Sequence, residues 1–511
     1  MSETRENRFL ERSPRTRIAV FTSSRFPAGH DQHILARIID LCRQVDADVR
    51  FFHHGIPETL LEGDGEHVHE LLARSMIAPT NANAARADID HFERTMPEQT
   101  RQLLTDIRNE FEEPADPREH HATRWAFSLA RLAAAWAPDL LLSYSHYEGS
   151  TAASIAHRLL GIPRVLVLPR PPEDGATPLL WQWHLAETEL LILGAPARAA
   201  GIADLARRRA PAGSTVDLDA PDLFDRVAAL AAAGRQRRTN ELPTFVSTPR
   251  EPLRDLPAKP FLVLGTERTG SNMLVNMLNS HAAIQSYGEL FNPTLMQRGV
   301  IDGLDAATAD ADADDLRKLR AEDPRAFHIE LIRRAAQGGK SHVGFKLLYY
   351  HGVIDNRLID HLVAVPDLRV IHLTRRDRLA RWVSHVRAVE SGSWYATRSD
   401  RQTRPQGPRQ VELALHTTLQ DFLWQQLQEE RAAATFAHLP VLEMSYEELA
   451  AAPAEQSGRA LDFLEVERRP LQTSSRKTGA RDARDLVSNW DEIAAGLRRT
   501  PFRHLAERAR V

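Results

Sequence analysis

Short apolar runs alternate with longer helix-like stretches in the first half of the chain. Four apolar runs predict buried strands, at residues 17–23, 48–52, 139–143 and 164–168. Three stretches whose apolar positions recur with a helical period lie between them, at residues 34–41, 125–136 and 150–160. Strand, helix and strand in this order predict βαβ units and a parallel sheet. Residues 15–235 are therefore predicted to form an α/β domain.

The same pattern returns after a break rich in arginine and proline. Residues 236–257 have no apolar period and are predicted to form a linker, because proline removes backbone donors and favours extended chain. Residues 258–505 are predicted to form a second domain, so the fold expected is two three-layer α/β/α domains with parallel sheets. The acidic run at 307–315 is predicted to be a solvated loop, and the polar segment 396–410 a loop or lid.

The amino-acid composition excludes several classes of protein. Of 511 residues, 42% are apolar and 26% charged, which is ordinary for a globular chain. A formal net charge of −4 argues against a dedicated nucleic-acid binder. The single cysteine, Cys42, allows neither an intramolecular disulfide nor a cysteine-built zinc site. The polar first residues lack the apolar segment of a secretory signal, and no apolar run reaches the roughly 18 residues of a membrane span. We expect a cytoplasmic protein without a transmembrane segment.

A candidate phosphate-binding turn follows the strand predicted at 261–264. It leads directly into a helix, a geometry that directs backbone N–H groups and the positive helix end towards an anion. Gly265 and Gly270 permit the tight turn. The candidate binding residues of this turn are Arg268, Thr269, Gly270, Ser271 and Asn272. The alternative is an ordinary turn of a parallel sheet.

The turn differs from the loop that binds nucleoside triphosphates. The glycine spacing is the same, but Ser271 stands where that loop carries a lysine. The absence of this lysine disfavours an ATPase or kinase, because in those enzymes the lysine neutralises the charge of the γ-phosphate.

Two further basic segments are candidates for a second anionic group. A strand at 368–373 leads into two arginines, and Ser384 follows Arg376 by eight residues on the next predicted helix. Near the C-terminus, Arg476 and Lys477 lie together in a predicted loop. Their alternatives are a solvated basic helix and an exposed surface turn.

Taken together and in this order, these segments resemble the sulfotransferase family that uses 3′-phosphoadenosine 5′-phosphosulfate (PAPS). The resemblance covers roughly residues 258–505, and the segments SYGELF and GFK resemble the bacterial branch that includes nodulation-factor and trehalose sulfotransferases. It implies a P-loop-like sulfotransferase domain in which residues 268–272 hold the 5′-phosphosulfate. Arg376 and Ser384, helped by Arg476 and Lys477, would hold the 3′-phosphate.

The resemblance also directs attention to two candidate catalytic residues. Glu289 lies 17 residues after Asn272, where the chain can return to the loop, and related bacterial enzymes use a glutamate at the matching position. It is the candidate base that deprotonates the acceptor hydroxyl. Lys346, at the end of a predicted strand, is the candidate cation for the transferring sulfuryl group. A helix-capping or ion-paired glutamate and a lysine at the edge of the core are the alternatives. No metal is expected.

The first domain loosely resembles the first Rossmann-like half of two-domain glycosyltransferases, without the donor-binding second half. It is predicted either to bind a glycan or glycoconjugate acceptor or to be a structural domain that shapes a homo-oligomer. Three functions remain open: a PAPS-dependent carbohydrate sulfotransferase, a nucleotide-dependent kinase and a non-catalytic glycan-binding protein. The first is favoured.

Overall fold

The structure is a computed structural model. It describes residues 15–22, 38–41, 43–44, 47–53, 55, 65–77, 126, 129–130, 132–134, 136–144, 148–168, 184–185, 188–200, 202, 214–241, 256–292, 295, 310–354, 356–365, 367–391, 410–473 and 482–507.

The first half of the chain builds one parallel sheet. Its seven strands are β1 (Arg17–Phe21), β2 (Asp48–His53), β3 (Ser75–Ile77), β4 (Leu140–Tyr144), β5 (Arg164–Leu168), β6 (Leu190–Leu193) and β7 (Ser214–Asp217). They lie side by side in the order β3-β2-β1-β4-β5-β6-β7. The helices of this half with assigned bounds are α1 (Gly65–Ala73), α2 (Glu148–Leu160), α3 (Ala195–Ala199) and α4 (Leu223–Glu241).

The second half builds a second parallel sheet of five strands. These are β8 (Lys259–Gly265), β9 (Ile284–Tyr287), β10 (His342–Leu348), β11 (Arg369–Thr374) and β12 (Val441–Ser445), in the order β12-β11-β8-β10-β9. The central strand β8 lies between β10 and β11, which the chain reaches later. The strand order therefore reverses beside β8, and this is the point of an α/β sheet at which ligands usually bind.

Helices of the second half cover both faces of its sheet. They are α5 (Ser271–Asn279), α6 (Asp310–Glu322), α7 (Pro324–Gln337), α8 (Tyr349–Ile354), α9 (Asn356–Val363), α10 (Arg378–Ser391), α11 (Leu415–Thr435), α12 (Tyr446–Ala451), α13 (Pro453–Leu464), α14 (Trp490–Arg498) and α15 (Arg503–Glu507). A short 3₁₀ helix spans Ala483–Leu486.

The packing of strand β8 explains why its residues are apolar on both faces of the sheet. Leu262 and Leu264 enter one buried cluster together with Phe327 of α7, whereas Phe261 and Val263 enter another with residues of α5 and α13. A strand buried on both faces needs a continuous apolar run rather than an alternating one. The expected α/β class, with two parallel sheets between helical layers, is confirmed.

The two halves share apolar packing. Helix α11 contacts β3 of the first sheet, and its Leu427 belongs to the same buried cluster as Phe52 and Met76. Leu497 of α14 and Phe502 join the cluster on the opposite face of the first sheet. The C-terminal helices thus complete the core of the first half.

The structure corrects one prediction and adds to another. The acidic run was expected to be a loop, but α6 begins at Asp310, so this prediction is wrong for residues 310–315. Aspartates are favourable near the positive end of a helix, and Leu316 anchors α6 in the core. Helix α4 ends at Glu241, inside the stretch expected to be a linker. None of the described helices is long and apolar enough to span a bilayer.

Candidate active site

The turn between β8 and α5 has a backbone that two glycines make possible. A Cβ on Gly265 would lie 2.4 Å from the carbonyl oxygen of Leu373 on β11. Gly270 has a φ of 83° and immediately precedes α5, and a Cβ there would lie 2.7 Å from the ring of Tyr446. Both positions exclude a side chain, and Gly270 also needs the left-handed backbone region that favours glycine.

The side chains of the turn brace it from inside. Thr269 is buried, and its hydroxyl donates to the carbonyl oxygen of Thr266 at 2.7 Å. Arg268 has a φ of 64°, in a backbone region that residues other than glycine rarely adopt. Strain of this kind persists only where the surroundings hold it and is common at ligand-binding loops.

The structure joins the turn to the second basic segment. Arg268 donates through Nε to the hydroxyl of Ser384 on α10, at 2.9 Å. Two segments predicted to bind opposite ends of one dianionic ligand therefore meet at a pair of polar side chains.

Arg376, expected beside Ser384, has other partners. Its guanidinium donates to the hydroxyl of Ser445 at 2.9 Å and to Glu448 at 3.1 Å, at the start of α12. Its backbone N–H donates to Glu447 at 3.2 Å. More than half of the side chain is exposed, so these contacts can be exchanged for an anionic ligand at modest cost.

The preceding residue, Arg375, was not singled out from the sequence. Its guanidinium donates to the carbonyl oxygen of Arg268 at 3.0 Å and lies 4.4 Å from the ring centre of Tyr446. Burial lowers the pKa of Arg375, an effect that the nearby Tyr446, Asp377 and Glu447 oppose. Arg375 thus stabilises the strained backbone of Arg268 through its carbonyl oxygen. Two consecutive arginines at a strand end were the only sequence signal for this role.

Three predicted site residues from three separate elements come together beside the turn. Lys346, on β10, lies with Nζ 2.7 Å from Oε1 of Glu289, and both side chains are almost completely buried. The same ammonium group donates to Oδ1 of Asn272 in the first turn of α5. Glu289 follows β9, and its backbone is tied to β10 by the bond from Lys346 N–H to the Gly288 carbonyl.

Electrostatics keep Glu289 ionised. Burial by itself raises the pKa of Glu289, but the charge of Lys346 and hydrogen bonds from Lys346 and Asn292 outweigh burial and lower it. The Asn292 amide donates to Oε2 at 2.5 Å. His351 Nε2 lies 3.8 Å from the same oxygen. A buried carboxylate with a lowered pKa is ready to accept a hydrogen bond from a hydroxyl at neutral pH.

A second, partly buried carboxylate, Glu267, anchors the turn to the helices below it. Its Oε1 accepts from Arg381 of α10 at 3.0 Å and lies 3.1 Å from Nδ1 of His385. Arg381 also donates to Asp421 on α11. Burial opposes ionisation, but His385, Arg381 and Thr266 hold the pKa of Glu267 far below its usual range. No sequence signal points to the bond between Glu267 and Arg381, because 114 positions separate them.

Other predicted residues are placed as follows. Ser271 is buried at the first position of α5. Arg476 and Lys477 lie outside the described residues, as does most of the 396–410 segment. Among the described residues there is no group of three or more histidine, cysteine, aspartate and glutamate side chains suited to a metal ion. The expectation of a metal-free site stays a prediction.

Comparison with known proteins gives a family match and sequence relatives. Residues 260–470 match the model of the Sulfotransferase family. Nodulation protein H of Rhizobium meliloti strain 1021 is 26% identical over 261 residues, which are 50% of this chain and 97% of that protein. Nodulation protein H of Rhizobium tropici is 26% identical over 252 residues, 48% of this chain and 93% of that protein.

Two solved structures align at lower sequence identity. A sulfotransferase from Alicyclobacillus acidocaldarius aligns at 19% identity with a TM-score of 0.25, covering 50% of this chain and 98% of that one. The UDP-GlcNAc 2-epimerase from Neisseria meningitidis aligns at 9% identity with a TM-score of 0.23, covering 89% of this chain and 96% of that one. TM-scores of this size add nothing to the sequence matches. Residues 260–470 are thus similar to the sulfotransferase family, and the chain shares 26% identity with nodulation protein H.

Proposed function

We propose that the protein transfers a sulfuryl group from PAPS to a hydroxyl of a carbohydrate or glycoconjugate. The match of residues 260–470 to the Sulfotransferase family model supports the reaction class. The identity of the sulfuryl donor and the chemical class of the acceptor are what we propose beyond this reaction class. The observation that carries the proposal is the buried Glu289–Lys346 pair, joined through Lys346 to Asn272 at the mouth of the phosphate-binding turn.

The 5′-phosphosulfate of the donor fits residues 268–272. Arg268 supplies the cation, Thr269 and Ser271 lie in the turn, and the first turn of α5 directs N–H groups and a positive helix end towards the anion. The sulfuryl group of PAPS, bonded through oxygen to the 5′-phosphate, carries less negative charge than a γ-phosphate. The turn carries Ser271 in place of a lysine, and the nearby cation is Lys346 on β10. This arrangement suits an anion of smaller charge.

The 3′-phosphate would bind on the α10 side of the turn. Ser384 is its predicted hydroxyl donor, and the bond from Arg268 to Ser384 places that hydroxyl next to the 5′ site. Arg376 would exchange its partly exposed contacts with Ser445 and Glu448 for the phosphate. Arg476 and Lys477 are proposed to complete this end.

The transfer step uses the two buried groups differently. Glu289 takes the proton of the acceptor hydroxyl as the hydroxyl oxygen attacks sulfur. The new O–S bond forms in line with the bond that breaks, and that electron pair leaves on the phosphate oxygen of 3′,5′-phosphoadenosine. Lys346 offsets the negative charge that grows on the transferring group and on the leaving oxygen. A phosphate oxygen is a weak base, so the step does not require a metal ion.

A carbohydrate acceptor is proposed from two observations. The sequence resembles the bacterial sulfotransferases of nodulation factors and trehalose, and two relatives found by sequence are named nodulation proteins. The parallel sheet of the first half, which shares its apolar packing with α11, α14 and Phe502, would present the acceptor to the second half.

The proposal is tested with the full-length chain, its purified Glu289→Gln variant and PAPS. Cell-extract glycoconjugates are incubated with each protein, and mass spectrometry searches for an added sulfate. We expect Glu289→Gln to lower turnover by about 10²- to 10⁴-fold while 3′,5′-phosphoadenosine binding stays unchanged. Glu455→Gln, at an exposed position of α13 in the same half, is the matched control and should keep full turnover.

Three results would contradict the proposal. Binding of ATP with magnesium but not of 3′,5′-phosphoadenosine would favour a kinase. Unchanged function in Glu289→Gln would favour a non-catalytic glycan-binding protein. Sulfation of a substrate that is not a carbohydrate would support sulfuryl transfer but contradict the proposed carbohydrate acceptor.

A further inference from the structure

His351 is a buried histidine with no role in the transfer step described above. It lies in the first turn of α8, three residues after β10 ends, and its side chain has no exposed surface. The backbone N–H of Leu348 donates to Nδ1 at 3.3 Å. Burial lowers the pKa of His351 to about 4, so the ring is neutral at pH 7. A neutral ring that accepts at Nδ1 carries its proton on Nε2.

The protonated nitrogen faces the proposed base. His351 Nε2 lies 3.8 Å from Oε2 of Glu289, about 0.8 Å beyond an ordinary hydrogen bond. This nitrogen is buried and makes no hydrogen bond in the part of the chain that the structure describes. A buried donor without an acceptor is costly, and a short movement of either side chain would satisfy it. The other charges acting on the ring are those of Lys346 and Glu267.

Other donors already hold the carboxylate of Glu289. Lys346 lies 2.7 Å from Oε1, and the Asn292 amide donates to Oε2 at 2.5 Å. The same amide lies 3.4 Å from the hydroxyl of Tyr350, the residue before His351. Donors on both oxygens restrict rotation of the carboxylate and favour its ionised form. His351 adds an aromatic donor to these groups, and its Nε2–H has not yet reached the carboxylate.

We propose that His351 is a positioning residue for Glu289, and that its Nε2–H closes on Oε2 when the substrates bind. This inference rests on the proposed role of Glu289 as the base. The closed contact holds the carboxylate towards the acceptor hydroxyl and stabilises its ionised form, so the base stays unprotonated to a lower pH.

Two amide variants separate this role from a structural one. The side-chain amide introduced by His351→Gln reaches the position of Nε2, whereas the shorter side chain introduced by His351→Asn reaches only that of Nδ1. We expect His351→Gln to keep kcat within about twofold. We expect His351→Asn to lower kcat about tenfold, to leave KM for PAPS unchanged, and to move the acid limb of the kcat profile up by roughly 0.5 to 1 pH unit. The reverse order would show that the bond to Leu348 N–H matters, and would overturn the proposal.

Two nuclear magnetic resonance measurements test the contact without turnover. In protein labelled with ¹³C at glutamate carboxyls, the Glu289 signal is assigned by its loss in Glu289→Gln. Its pKa should be higher in His351→Asn than in the wild type and in His351→Gln, and equal values in all three would overturn the proposal. In wild-type protein labelled with ¹⁵N-histidine, His351 should be the Nε2-protonated tautomer. The Nδ1-protonated tautomer would overturn the proposal even if no variant folded. Absence of sulfuryl transfer by the wild type would instead refute the proposed function.

Discussion

Removing the ammonium group beside the buried carboxylate of Glu289 should destabilise the protein in a way that depends on pH. In Lys346→Met, Glu289 loses its charged partner, while the methionine fills a similar volume. Both side chains of the pair are at least nine-tenths buried, at 3% and 9% exposure. Breaking one side of a buried pair costs about 3 to 5 kcal/mol, because the remaining charge is left in a medium that solvates it poorly.

The sign of the pH effect follows from the two competing influences on Glu289. In the wild type the pKa of Glu289 is lowered, since Lys346 and Asn292 outweigh burial, so its contribution to stability is present above the unfolded pKa and lost as pH falls through the folded pKa. In Lys346→Met the main lowering influence is gone and burial raises the pKa. The variant should therefore recover part of its stability as pH falls from 8 to 5, where the wild type gains none from this residue.

The assay is urea unfolding of the full-length chain at pH 8 and pH 5. The transition followed is the one that moves when 3′,5′-phosphoadenosine is added, because a ligand stabilises the unit that binds it. The double variant Glu289→Gln/Lys346→Met, with no charge at either position, should regain much of the lost stability. A deficit in Lys346→Met below about 1 kcal/mol, or one that does not shrink at pH 5, would refute the buried-pair reasoning.

Three further changes probe the turn. Arg375→Met removes the bond to the Arg268 carbonyl and the cation over the Tyr446 ring, and should raise KM for PAPS about tenfold in steady-state assays. Ser384→Ala removes the hydroxyl partner of Arg268 and should weaken 3′,5′-phosphoadenosine binding about 5- to 20-fold by calorimetry. Gly270→Ala combines a φ of 83° with a Cβ 2.7 Å from Tyr446, and should lower the melting temperature by several degrees. An unchanged KM, affinity or melting temperature, respectively, would contradict each expectation.

The sequence was sufficient where structure depends on local pattern. The strand predicted at 164–168 has those bounds in the structure, and the run at 261–264 lies inside β8. An apolar run bounded by turns specifies a buried strand without knowledge of its neighbours. The acidic run misled because charge alone does not show whether a segment begins a helix, and Leu316 is buried through contacts with residues far along the chain.

The site was less predictable because its geometry depends on long-range partners. Glu289 and Lys346 could be proposed from a family resemblance, but only the structure gives their 2.7 Å contact. Arg375 acquires its role through Tyr446, 71 positions later, and His351 through the rotation of its ring towards Glu289. No spacing rule predicts contacts of this kind, since they depend on which strands become neighbours in the sheet.

Glu267 and Glu289 differ in their partners, and the difference bears on the roles proposed for them. Glu267 is held by His385, Arg381 and Thr266, and its pKa lies far below the usual range. Such a carboxylate is a poor base, because a proton on it would break several strong contacts at once. The pKa of Glu289 is lowered by Lys346 and Asn292 against the effect of burial, and its carboxylate lies beside Asn272 of the turn through Lys346. Under the proposed function, Glu267 would anchor the turn to α10 and α11, and proton transfer would fall to Glu289. Glu267→Gln should consequently weaken donor binding, whereas Glu289→Gln should spare it and reduce turnover.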